Sequence, residues 1–186
     1  MKEIIDIARQ SGVHLHISHF KVCGRKNWQY IPRVLRLLDE AEAEGINISF
    51  DQTPYTAGST MMSAILPPWV MEGGTDCVLR RLSDRTLRQK MIADIQKGIP
   101  GWDDFIDFAG PDQIYVSSVG SERNQDAVGL NLIELGEKRG KDPYNAVFDL
   151  LYEEKNDVRM IDFYCQENHV LQFMKRPEMN LSTDGL

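Results

Sequence analysis

Residues 13–25 read VHLHISHFKVCGR, and this stretch decides the fold class. It holds three of the four histidines of the chain, His14, His16 and His19, at the end of an apolar run and shortly before Gly24. A strand that ends in polar side chains and then turns is typical of α/β barrels, which place their chemistry at the carboxyl ends of their strands. We therefore predict a buried strand over residues 13–18 and a loop after it.

The flanking residues extend this pattern into an α/β fold. Apolar residues at helical spacing begin at Ile31, with Pro32 in the first turn and Gly45 at the end, and a second strand follows over residues 46–51. Alternation of helix and strand predicts a parallel sheet. Two further strands are predicted over residues 158–164 and 179–182. The less regular residues from about 54 to 128 are predicted to be a loop and helical insertion in a single domain that spans residues 1–186.

Two local features of this irregular part and its surroundings are predicted as well. Residues 52–60 are predicted to be a loop, and Asp84 and Asp142 are predicted to be the N-caps of two later helices.

Composition limits the classes of partner. The formal net charge is −7, and no basic face stands out that would neutralise the phosphates of a nucleic acid. The densest basic group, Arg80, Arg81, Arg85, Arg88 and Lys90, is mixed with acids on one predicted helix and is interpreted as a solvated face. No apolar run is long enough for a membrane helix. The three widely spaced cysteines suggest no disulfide framework, and we predict a cytoplasmic protein.

Two residues stand out as candidates for chemistry. His19 lies where the first strand emerges, whereas His14 and His16 share one face of that strand and are interpreted as packing residues. Asp184 follows the last predicted strand and can hold a metal or take a proton from a bound water. Its alternative role is to cap the turn before Gly185. Asp51 ends the second strand in the same way.

Three motifs in the same order resemble the N-acyl-D-amino-acid deacylases (D-aminoacylases) of the amidohydrolase superfamily. These are ISHFK at residues 17–21, DQTPYTAGST at residues 51–60 and STDG at residues 182–185. The family shows ISHxK, DxYPYxAGST and GSDG. The resemblance runs almost from end to end and implies part of a metal-dependent (β/α)8 barrel, about strands five to eight, in a chain that looks like an internal fragment.

The resemblance also implies the chemistry of the site. His19 is the expected zinc ligand from the fifth strand, and Asp184 is the expected eighth-strand ligand and catalytic acid–base group. Substrate binding is assigned to Lys21 and Tyr55, which lie in the first and second motifs. The implied reaction is hydrolysis of an N-acyl-D-amino acid, a small-molecule substrate, to a carboxylate and a free D-amino acid. The isolated chain is expected to be inactive, because one histidine and one aspartate rarely hold a catalytic zinc.

Two other interpretations stay open. The chain can belong to a cyclic-amide hydrolase of the dihydroorotase or hydantoinase type. It can also be a metal-free barrel segment, since Asp51 and Thr53 stand at and just after the end of the second predicted strand, where the family supplies a sixth-strand histidine. In each case a half barrel leaves strand edges unpaired, so we expect self-association through those edges.

Overall fold

The computed structural model describes residues 1–184 and confirms the predicted α/β fold class. The chain divides into two compact units. The first unit comprises Met1–Thr56 together with the chain from Cys165 onward, and the second comprises Ala57–Tyr164. The helices and strands follow in chain order as α1 (Lys2–Ser11), β1 (Leu15–Ile17), α2 (Ile31–Ala43), β2 (Ile48–Gln52), β3 (Gly58–Met61), α3 (Pro68–Met71), α4 (Thr75–Ser83), α5 (Arg85–Lys97), α6 (Phe105–Ala109), β4 (Ile114–Val119), α7 (Leu132–Arg139), α8 (Pro143–Glu153), β5 (Val158–Asp162), α9 (Glu167–Met174) and β6 (Met179–Leu181). Short 3₁₀ helices span Arg25–Tyr30, Met62–Ile65 and Glu122–Ala127.

The first unit is built on a parallel sheet in the order β1-β2-β6. Leu15 pairs with Ile48 on one side of β2, and Phe50 pairs with Met179 on the other side. The predicted parallel pairing of the first two strands is therefore confirmed. Because β2 contacts both partners directly, β1, β2 and β6 are three neighbouring strands.

One face of this sheet forms the core of the first unit. Side chains alternate along a strand, so Ile48 and Phe50 share a face. They pack with Phe20, Leu38 and Phe173 in a buried hydrophobic cluster. The ring centroid of Phe50 lies 5.2 Å from that of Phe20 and 5.9 Å from that of Phe173. The helices α2 and α9 thus cover the apolar face, and the opposite face is left to polar side chains.

The second unit contains an antiparallel sheet in the order β3-β5-β4. Residues 158–164 were predicted as a strand of the barrel, but β5 lies between two antiparallel partners in this other sheet, so that part of the prediction was wrong. Residues 52–60 were predicted as a loop, yet Gly58–Met61 forms β3. Gly58 is required there, because a Cβ atom at this position would lie 2.7 Å from Cε1 of Tyr164.

Helix caps in the second unit follow the sequence closely. The carboxylate of Asp84 accepts hydrogen bonds from the N–H groups of Thr86 and Leu87, and Asp142 accepts one from Asn145, as N-caps do. Both caps were predicted. The basic residues 80–90 lie on two helices, however, because Asp84 separates α4 from α5. Within residues 1–184, no helix is long and apolar enough to cross a membrane.

Candidate functional site

A row of polar side chains covers the face of β1 and β2 that points away from the core. Nε2 of His14 lies 2.8 Å from Oγ of Ser49, and Nδ1 of His16 lies 2.7 Å from the same oxygen. Nε2 of His16 then lies 3.0 Å from Oδ2 of Asp51. The pairing of His16 with Ser49 in the sheet brings the four groups onto one face. We call His14, Ser49, His16 and Asp51 the polar row.

The polar row ends at the loop that carries His19. The backbone N–H of His19 donates a hydrogen bond to Oδ1 of Asp51 over 2.7 Å, and the N–H of Phe20 donates to the backbone carbonyl of Asp51 over 2.8 Å. His19 adopts a left-handed backbone conformation with φ of 38°, which is uncommon for a residue other than glycine. The two hydrogen bonds to Asp51 hold the chain in this turn.

Asp51 is the charged group of this arrangement. The hydrogen bond from the His16 ring, followed by that from the His19 N–H, lowers the pKa of the Asp51 carboxyl below its ordinary value, although partial burial opposes the shift. A hydrogen bond to the ionised form favours that form. Asp51 is therefore a carboxylate at neutral pH and accepts hydrogen bonds at both oxygens.

All of the site residues predicted from the sequence lie in the first unit. His19 is exposed two residues after β1, Lys21 is half-buried in the same loop, and Tyr55 is 50% exposed after β2. Asp184 is exposed after β6, with φ of 49°, and its N–H donates to Oγ of Ser182 over 3.3 Å. Gly185, the last residue of the third motif, lies outside the described residues.

The described residues do not form a complete metal site. Structural and catalytic zinc sites use at least three protein ligands. Across residues 1–184, no group of three His, Cys, Asp or Glu side chains is arranged to hold a metal ion. His19 and Asp184 alone fall short of this number, and Cys23, in the loop after β1, forms no disulfide with another described residue. A zinc site cannot be assembled from these side chains alone.

Sequence reasoning missed Ser49 and gave His14 and His16 too small a role. The alternation of residues 46–51 does indicate that Ser49 and Asp51 share a face. What the sequence lacks is the register, because only the pairing of His16 with Ser49 shows that both histidines meet one hydroxyl.

Comparison with known proteins shows which fold this is. No protein-family model and no curated protein matches the chain. An N-acyl-D-glutamate deacylase from Bordetella bronchiseptica, solved with zinc and a phosphonate inhibitor, matches 99% of the chain with a TM-score of 0.63 and 18% identity. A D-aminoacylase described as defining a novel subset of amidohydrolases matches 99% with a TM-score of 0.61 and 22% identity. The chain has the fold of part of these deacylases.

The likeness covers only a part of each solved protein. The chain spans 29% of the first deacylase and 28% of the second. A further D-aminoacylase structure, from work on a binuclear metal centre, gives a TM-score of 0.59 at 23% identity and again 28% of that chain. The resemblance that the three motifs predict is confirmed at the level of the fold.

Proposed function

We propose that this chain is part of a zinc-dependent amidohydrolase that cleaves the amide of N-acyl-D-amino acids. The observation that carries the proposal is the structural likeness to N-acyl-D-glutamate deacylase and D-aminoacylase over 99% of the chain. The three sequence motifs support it independently, because residues 17–21 of the first, 51–56 of the second and 182–184 of the third lie in or directly after strands of the parallel sheet.

The parallel sheet is proposed to be a segment of a (β/α)8 barrel. Helices cover one face of the sheet and the polar row occupies the other, which is the division between the outside and the inside of such a barrel. Strands that are consecutive in a barrel are neighbours, and β1, β2 and β6 are neighbours. If Asp184 follows the eighth strand, then β2 is the seventh strand and His19 follows the sixth rather than the fifth.

This renumbering removes one difficulty of the sequence interpretation. The second predicted strand has no histidine where the family supplies one from its sixth strand. With β1 as the sixth strand, His19 itself occupies that place, and β2 need not supply a histidine. His19 and Asp184 remain the proposed zinc ligands, and the others belong to parts of a barrel that the described residues do not include.

The remaining roles follow from the chemistry of the substrate. An N-acyl amino acid carries a carboxylate, which the Lys21 ammonium can pair with, and an amide, to which the Tyr55 hydroxyl can donate a hydrogen bond. Asp184 is proposed to accept a proton from the attacking water and to pass it to the leaving nitrogen. The exposure of Tyr55 and Asp184 leaves both groups accessible to a ligand.

The test is hydrolysis by the natural polypeptide that carries this sequence. The substrates are N-acetyl-D-methionine and N-acetyl-D-glutamate, each assayed in the presence of zinc. Their L enantiomers serve as controls. Dihydroorotate and hydantoin test the cyclic-amide alternative. We expect release of D-amino acids only, abolished by His19→Ala and by Asp184→Asn, with Asp103→Asn as an exposed-acid control. Hydrolysis of the cyclic amides instead would overturn the proposed substrate class.

A second candidate function is that of a metal-free barrel segment with a binding or structural role and no catalytic activity. It is favoured by the absence of a three-ligand group among residues 1–184. Zinc titration by calorimetry separates the two candidates. Stoichiometric binding by the natural polypeptide that weakens in His19→Ala supports the enzyme, whereas no binding supports the metal-free segment.

A further inference from the structure

Three cavities of the second unit lie side by side and share lining residues. They have volumes of about 570, 380 and 610 Å³. Ser83 lines the first and third cavities, Lys141 lines the first and second, and Arg123 lines the second and third. We call these three adjoining cavities together the basic groove. It lies within residues 79–155 and includes none of the candidate site residues.

The positive charges of the second unit are concentrated in this groove, and most of its negative charges lie elsewhere in the unit. Residues 57–164 contain 12 Lys and Arg and 18 Asp and Glu. Eight of the cations line the basic groove, against four of the acids. The groove thus has an excess of positive charge in a unit that is acidic elsewhere.

The acids of the groove are already occupied within the chain. Asp149 pairs with Arg88 over 2.7 Å and also with Lys141. Glu153 pairs with Arg139 over 3.1 Å, and this pair is only partly exposed. The same pattern holds at the rim, where a salt bridge of 2.7 Å neutralises Lys138 through Asp126. The fourth acid, Asp142, caps α8. These pairs fix the walls of the groove and leave no carboxylate for other cations.

Four exposed cations of the groove remain without an acidic partner. Within residues 1–184, no carboxylate oxygen lies within ion-pair distance of Arg80, Arg85, Arg123 or Lys155. Arg80 donates a hydrogen bond to Sγ of Cys77 over 2.8 Å. Each cavity contains at least one of the four, so the unpaired charge is spread along the groove.

We propose that the basic groove binds a short acidic peptide segment, whose carboxylates pair with these four cations. Complementary charge steers such an encounter and sets its register. A short segment is favoured over a nucleic acid because the rest of the second unit holds four cations and fourteen acids, which repel a polyanion that runs past the groove. The proposal does not rest on the proposed hydrolase activity.

The test measures binding of a labelled synthetic peptide, in which glutamate alternates with glycine, to the full chain by fluorescence anisotropy. The matched peptide has glutamine in place of glutamate, and a single-stranded oligonucleotide of similar length represents the nucleic-acid rival. We expect the glutamate peptide to bind and to weaken as salt is raised from about 50 to 300 mM. The double variant Arg85→Gln/Arg123→Gln is expected to bind about three- to tenfold more weakly.

The control variant is Lys97→Gln/Arg159→Gln, which removes two exposed cations of the same unit outside the groove. It is expected to bind like the parent chain, and circular dichroism checks that both variants are folded. Equal weakening in the two double variants, equal binding of the glutamine peptide, or tighter binding of the oligonucleotide would each overturn the proposal.

Discussion

The backbone N–H of His19 donates a hydrogen bond of 2.7 Å to Oδ1 of Asp51, and thereby joins the loop after β1 to the end of β2. Oδ2 of the same carboxylate lies 3.0 Å from Nε2 of His16. One side chain thus holds both a strand residue and the proposed ligand that follows the strand. The left-handed turn at His19 is strained for a side-chain-bearing residue, so it needs such support.

Asp51→Ala is predicted to release the His19 turn. The variant loses both acceptors, which we expect to cost about 1–2 kcal/mol of stability of the first unit. Asp51→Asn keeps an oxygen that the His19 N–H can reach, so it should cost less. Amide hydrogen exchange at His19 measures the effect directly. Unchanged protection of this amide in Asp51→Ala would show that the turn holds without the carboxylate.

Phe50→Ala is predicted to lower the free energy of unfolding of the first unit by about 3–5 kcal/mol, because a fully buried ring is replaced by a cavity. Trp28 is the single tryptophan of that unit, so its fluorescence in a Trp69→Phe/Trp102→Phe background follows this unit alone. Tyr30→Ala, which removes a 47% exposed ring, serves as the control and should change stability little.

Acid is predicted to destabilise the second unit through Glu154. Burial alone would raise the pKa of this carboxyl, but hydrogen bonds from Ser121 and Asn124 outweigh it and hold the pKa below the ordinary value. A depressed folded pKa adds stability above the unfolded pKa, roughly 4.3, and this stability is lost as pH falls through the folded pKa.

Urea unfolding at pH 7 and at successively lower pH checks this prediction, with Trp69 and Trp102 as reporters. Glu154→Gln should be less stable than the parent at pH 7 and should lose less stability on acidification. If the free energy of unfolding falls equally with pH in the parent and in Glu154→Gln, the pH dependence belongs to other carboxylates.

The edges of the parallel sheet are predicted to cause self-association. β1 and β6 are the outer strands, and Leu181 on β6 is 64% exposed. A charged residue on an edge strand opposes pairing with another chain. Sedimentation velocity should show associated species that Leu181→Lys reduces, while Leu171→Lys on α9 leaves them unchanged. A purely monomeric parent chain would contradict the prediction.

Gly58→Ala is predicted to cost about 1–3 kcal/mol, since the added methyl group meets the ring of Tyr164. Ser59→Ala, on the exposed face of the same strand, should be close to neutral. Combining Gly58→Ala with Tyr164→Leu should cost less than the sum of the two single changes, because each change makes room for the other. Additive costs in a urea titration would exclude the contact as the cause.

Sequence patterns predicted local structure well and strand partners poorly. The helix caps at Asp84 and Asp142 and the strand over residues 46–51 depend on neighbouring residues, and all were found. The strand predicted over residues 158–164 is present as β5, but the residues of a strand do not by themselves identify its partner strands. β3, with Gly58, Ser59 and Thr60, lacks the apolar pattern, so pairing with β5 forms a strand that its own sequence does not indicate.

The candidate site was predicted by motif rather than by geometry. His19 and Asp184 follow strands of one sheet, as their motifs imply. The contacts of Ser49 with two histidines depend on the register of β1 against β2, which no property of either segment encodes alone.

The carboxylate at one end of the polar row determines which groups donate and which accept hydrogen bonds along the row. An ionised Asp51 only accepts, so Nε2 of His16 carries the proton of that contact, and in this tautomer Nδ1 is left to accept from the hydroxyl of Ser49. Because the hydroxyl of Ser49 donates its hydrogen bond to His16, Oγ of Ser49 accepts one from Nε2–H of His14. A single negative charge therefore selects the tautomers of two histidines, and the farther ring is reached only through a serine hydroxyl.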